Sequence, residues 1–166
     1  MKIRLRTLLV DDEPLALEYL TALLELRADI EVVGRCRNGR EALKRLRQGG
    51  VDLLFLDVQM PGKTGLEVVA GLQADDMPLL VFATAYDQYA LKAFELNAVD
   101  YLLKPFDPDR LAICLTRVLE RWSSKSLISD KAAALAAVDQ IEQRSNTLSN
   151  DGQAHALGKL PIKDAG

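Results

Sequence analysis

The chain has 166 residues, 49% hydrophobic and 27% charged, with a net charge of −3. This is ordinary for a soluble globular protein with one full core and a tail. It offers no overall basic surface for gripping nucleic acid, and no apolar run nears the ~20 residues of a membrane span.

Strands and helices alternate from the start to about Ser123. A first strand over 5–10 ends its apolar run Thr7-Leu8-Leu9-Val10 in Asp11-Asp12-Glu13-Pro14. Pro14 suits the first turn of a helix, and Leu17, Leu20 and Leu24 recur at helical spacing over 14–26. A strand over 31–35 and a helix over 39–47 follow.

Then comes Asp52-Leu53-Leu54-Phe55-Leu56-Asp57-Val58-Gln59-Met60-Pro61-Gly62. The continuous apolar run over 52–56 fits a strand buried on both faces, as in parallel sheets. Pro61-Gly62 marks the loop that leaves it. Asp57 therefore falls at the carboxyl end of a central strand, where open α/β sheets bind ligands. A helix over 66–73 leads to a strand over 79–83 that ends at Thr84-Ala85. A helix over 88–96 leads to a strand over 100–103, then Lys104-Pro105 and a helix over 108–121. Five βα units imply a parallel sheet with helices on both faces.

After Ser123 aromatic residues vanish and Ser, Asn, Gln and Ala dominate. Residues 131–143 are Ala-rich and read as helical, and 145–158 as a flexible linker. Cys36 and Cys114 are far apart and lack metal spacing, so they read as reduced packing residues of a cytoplasmic protein. The start of the chain does not read as a signal peptide, since the basic residues 1–6 precede only a short apolar run. The sole histidine, His155, stands in the polar tail without a ligand cluster.

Alone, Asp11-Asp12 would read as a solvated helix cap, Thr84 as another cap, and Lys104 as a surface cation before a turn. Together they place three acids, a hydroxyl and an ammonium at carboxyl strand ends. Like charges that close repel unless a cation sits among them. A sparse all-oxygen site suits Mg²⁺, which keeps several waters. The set has the parts of a phosphoryl-transfer site, in which a carboxylate can be the nucleophile.

These motifs, with Gly65 and Tyr101-Leu102-Leu103-Lys104-Pro105-Phe106, resemble the receiver domain of two-component response regulators over about residues 4–123. The resemblance implies a flavodoxin-like (βα)5 sheet in the order 2-1-3-4-5. It makes Asp57 the phosphoacceptor and gives Mg²⁺ to Asp11, Asp12, Asp57 and the backbone carbonyl of Gln59. It makes Thr84, Ala85 and Lys104 phosphoryl-binding residues, Tyr101 the switch aromatic and Pro105 a cis-proline candidate. It implies a sensor histidine kinase as donor, signalling rather than enzymatic activity, and a homodimer through the helix 4–strand 5–helix 5 face. The bulk of Tyr86 suggests a shield over an acyl phosphate.

The run from Thr84 to Phe106 is similar to receivers joined to LytTR-type DNA-binding domains. Leu160-Pro161-Ile162 is similar to the opening of such a domain. The implied layout is a receiver over 1–123, a helical or flexible linker over 124–158, and the truncated start of a LytTR output domain over 159–166. DNA would be bound only through that missing domain, with no membrane contact. A receiver-like interaction module that takes no phosphate is the alternative. An aspartyl-phosphate hydrolase is disfavoured by Gln59, which cannot serve as a general acid or base.

Overall fold

The computed structural model describes residues 3–73 and 77–145. Five parallel strands, β1 (Leu5–Val10), β2 (Ile30–Cys36), β3 (Leu53–Leu56), β4 (Leu79–Thr84) and β5 (Asp100–Leu103), pair in the order β2-β1-β3-β4-β5. The helices are α1 (Pro14–Glu25), α2 (Gly39–Arg47), α3 (Gly65–Ala70), α4 (Ala90–Glu95) and α5 (Pro108–Ser145). This is the doubly wound, flavodoxin-like arrangement expected from the sequence.

The strands divide their side chains between two cores. Successive residues of a strand point to opposite faces. Leu5 and Leu9 of β1, Leu53 and Phe55 of β3, and Val81 of β4 therefore pack with Leu17, Leu20 and Leu24 of α1 and Leu111 and Leu115 of α5. Leu8, Leu54, Leu56 and Phe82 pack on the other face with Leu43 and Leu46 of α2 and Val68 of α3. Burial on both sides is why β3 reads as an unbroken apolar run.

Several boundaries differ from the sequence reading. Asp52 falls outside β3, because its carboxylate accepts from the Arg6 backbone amide at 2.8 Å and from its guanidinium at 3.0 Å. α3 starts one residue early, where Thr64 and Glu67 form a reciprocal capping box, and ends at Ala70, capped by Gly71, rather than continuing to 73. α4 is shorter than expected at both ends. The chain divides into two units, Met1–Trp122 and Ser123–Gly166, and α5 is assigned as helix from Pro108 to Ser145. The compositional change at 123 is thus no helix stop. Neither Gly nor Pro occurs between Pro108 and Gly152, and those residues are the usual terminators. The linker after 145 and the segment 159–166 lie outside the described residues.

Candidate functional site

The site forms where β1, β3, β4 and β5 end. Val10 pairs with Leu56 in register, so the next residues, Asp11 and Asp57, leave neighbouring strands side by side. The Asp57 amide donates to the Val10 carbonyl at 3.0 Å and holds that alignment. Carboxylate oxygens of Asp11, Asp12 and Asp57 lie within 4.8 Å of one another. Asp11 and Asp57 are buried and Asp12 is half-buried.

The loop after β3 is built to approach Asp57 closely. Gly62 has φ of 80°, in the left-handed region that glycine adopts without penalty. The Gly65 amide donates to the Val58 carbonyl at 2.8 Å. A Cβ at Gly65 would collide with the Asp57 carbonyl oxygen. Any larger residue there would push α3 away from the strand end.

Lys104 enters from β5. Its amide donates to the Thr84 carbonyl at 2.8 Å, and the Lys104–Pro105 peptide is cis. The ammonium lies 2.6 Å from Asp11, 3.2 Å from Glu13 and 3.3 Å from Asp57. Burial acts to lower the Lys104 pKa, but the hydrogen bond to Asp11 and the charges of Asp57 and Asp11 outweigh it and hold the pKa above its ordinary value. Burial pushes Asp11 up to about 6, against the pull of Lys104 and the Glu13 amide.

Thr84 is fully buried at the end of β4, and its hydroxyl accepts weakly from the Tyr86 amide at 3.4 Å. It caps no helix. Ala85 beside it is exposed. The half-buried Tyr101 sits with its ring centroid 6.3 Å from that of Phe82, and its hydroxyl donates to the Tyr86 carbonyl. Tyr101 is thus tied to the loop that follows Thr84. The side-chain amide of Gln59 donates to the Tyr89 hydroxyl, and the Tyr86 and Tyr89 rings meet edge to face at 6.5 Å. Glu13 and Tyr89 were not singled out from the sequence. Glu13 belonged to the acidic turn already noted, but nothing local signalled that Tyr89 would reach across thirty positions to Gln59.

The acidic cluster fits a hard divalent cation. Its donors are all oxygen, three carboxylates converge, and two of them are shielded from bulk water.

A flavodoxin-like sheet with acids and a lysine at its switch point is the arrangement expected of a receiver type of domain, and comparison with known proteins agrees with that class. The family model for the response regulator receiver domain matches residues 7–116. An uncharacterised response regulatory protein of Vibrio vulnificus is 48% identical over 82% of this chain and 57% of its own length. The transcriptional regulatory protein BtsR of Escherichia coli K12 is 46% identical over 79% of this chain and 56% of its own. Among solved structures, the response regulatory domain of mrkE from Klebsiella pneumoniae is 34% identical with a TM-score of 0.67, covering 72% of this chain and 98% of that one. The chain belongs to the response regulator receiver domain family. It spans a little over half the length of these two curated relatives.

Proposed function

We propose that this chain accepts a phosphoryl group on Asp57 from a sensor histidine kinase and thereby switches a C-terminal LytTR-type DNA-binding domain in transcription regulation. One observation carries the acceptor role: the Asp57 carboxylate lies buried between the Lys104 ammonium at 3.3 Å and the Asp11–Asp12 pair. A lone buried carboxylate would be costly there, whereas a nucleophile needs such flanking charges.

Asp11, Asp12, Asp57 and the Gln59 carbonyl would hold Mg²⁺, which supplies charge neutralisation on the transferring phosphoryl group. An Asp57 oxygen forms a bond to phosphorus while the P–N bond to the donor histidine breaks. The imidazole leaves and takes up a proton. Lys104 stabilises phosphoryl oxygens by charge, and the Thr84 hydroxyl donates to one of them. Thr84 then draws on the loop that holds the Tyr101 hydroxyl, which links the phosphate to β5.

The exposed apolar side chains Leu91 and Phe94 of α4 and Leu103 of β5 support a homodimer through the α4–β5–α5 face. Exposed Leu15 on α1 suits docking of the kinase. The LytTR assignment rests on the run from Thr84 to Phe106 and on relatives named as transcriptional regulators.

Acetyl phosphate or beryllofluoride with Mg²⁺ tests the acceptor role. Wild type should gain the mass of one phosphoryl group, or change its tyrosine and tryptophan emission, and Asp57→Ala should do neither. A wild type inert to both reagents sinks the proposal.

A further inference from the structure

The net charge of −3 conceals a strong asymmetry. Residues 35–47 hold six cations and one acid, a local charge of +5. The other 15 cations and 23 acids carry −8. The cations are Arg35 at the end of the edge strand β2, Arg37, and Arg40, Lys44, Arg45 and Arg47 on α2. Among the described residues none of the six forms an ion pair, although seven other basic side chains of this fold do. Arg45 is committed to the Gly49 carbonyl at 2.7 Å. Glu41 is the one acid among these residues, and its carboxylate accepts from the Arg37 amide and the Asn38 side chain as part of the α2 cap.

The remaining cations are not needed to build the fold. α2 buries Ala42, Leu43 and Leu46 against the sheet, and Arg40, Lys44 and Arg47 stand exposed on its outer face. A helix face selected only for solubility would carry acids at i+4 positions to support it. Here the positions four and seven residues after Arg40 are both basic.

We propose that the outer face of α2, with Arg40, Lys44 and Arg47 at its centre and Arg37 at its edge, binds the phosphate backbone of duplex nucleic acid. The helical rise sets Arg40, Lys44 and Arg47 along a line of about 10 Å. A duplex offers a negative charge roughly every 1.7 Å of its axis, so several phosphates face that line. Three of these four residues are arginine, whose planar fork matches phosphate oxygens two at a time and is weakly hydrated. The contact reads no bases. It would hold this domain against DNA beside whatever segment reads the sequence, and it does not depend on phosphorylation of Asp57.

The test is fluorescence anisotropy of a labelled random-sequence duplex with the 166-residue chain. Wild type should bind with a Kd of about 10–100 µM at low salt. The affinity should fall about 40-fold between 50 and 200 mM salt if three phosphates are contacted. Arg40→Ala/Lys44→Ala/Arg47→Ala should abolish binding and keep the circular dichroism spectrum. Arg4→Ala/Lys92→Ala/Arg121→Ala makes the same change in net charge on other surfaces and should bind as wild type. Equal loss in both triple variants would overturn the proposal, as would no duplex binding by wild type at low salt. Tighter binding to phosphatidylglycerol vesicles than to duplex would also overturn it, in favour of a lipid surface. So would patch-dependent self-association in sedimentation without duplex binding, in favour of a second copy docking its acidic surface.

Discussion

Arg110 and Asp100 are joined by two hydrogen bonds, 2.8 and 2.7 Å long, that fasten the first turn of α5 to β5 one residue ahead of Tyr101. The same Asp100 carboxylate accepts from the Tyr101 amide at 2.8 Å and pairs with Arg117 at 3.0 Å. A buried acid thereby holds the strand carrying the aromatic residue and the helix beside it.

This pairing sets a pH dependence. Burial acts to raise the Asp100 pKa, but Arg110 and the Tyr101 amide overcome it, so the carboxyl titrates below its ordinary value of 3.8. A depressed acid adds stability that is present above the unfolded pKa and is lost as pH falls through the folded one. Arg110→Met should therefore cost about 1–2 kcal/mol at pH 7, allowing for its partial exposure and the remaining Arg117. In urea unfolding the gap between variant and wild type should shrink near pH 3. An equal gap at both pH values would show that Arg110 acts through packing alone.

Gly65→Ala and Gly62→Ala should separate crowding from backbone strain. Gly62 has a left-handed φ but open space around a new Cβ, so its variant should lose about 1 kcal/mol and keep the acidic cluster intact. A new Cβ at Gly65 meets the Asp57 backbone, so that variant should lose about 1–3 kcal/mol and also weaken Mg²⁺ binding. Thermal melts with and without Mg²⁺ measure both. Normal Mg²⁺ binding by Gly65→Ala would contradict the close fit.

Lys104 supplies counter-charge to Asp11 and Asp57. Lys104→Met should destabilise the protein by about 1–2 kcal/mol at pH 7, because Asp11 and Asp57 lose their shared donor. Saturating Mg²⁺ should then raise Tm by more in the variant than in wild type, since the ion relieves a larger repulsion. Equal Mg²⁺ shifts in calorimetry would count against this role.

Tyr86 is about half exposed and stacks edge-on against Tyr89, which holds the Gln59 side chain. Both rings stand on the loop between β4 and α4, and β4 lies next to β3, which Asp57 directly follows. If Asp57 carries the phosphoryl group, Tyr86→Ala should hydrolyse it several-fold faster by admitting water. Hydrolysis unchanged or slower, followed by mass spectrometry, would remove Tyr86 as a shield.

The two cysteines should be inert in the native state. Burial pushes Cys36 up to about 11 and Cys114 up to about 12, and the thiolate is the reactive form. Maleimide at pH 7.5 should label neither until urea unfolds the chain. Rapid native labelling of either would mean that the core opens locally.

The sequence by itself determined the alternation of strands and helices and the acids that follow β1 and β3. Apolar runs, the helical spacing of Leu17, Leu20 and Leu24, and breakers such as Pro61-Gly62 are local signals. They also exposed the oddity of Asp57, an acid closing a run that is apolar on both faces. Local signals misplaced the end of α5, because a change of composition is weaker than the absence of any Gly or Pro. Tertiary structure alone decided which strand ends meet and at what distance. Lys104 reaches Asp11 across 93 positions and Asp57 across 47, contacts that exist only because parallel pairing aligns the ends of β1, β3, β4 and β5. It also decided that Glu13 shares the lysine, that Tyr89 holds Gln59, and that Arg40, Lys44 and Arg47 stand exposed on the outer face of α2. The physical reason is the same in each case. Hydrogen-bond register and side-chain reach depend on neighbours in space, and periodicity along the chain carries no record of them.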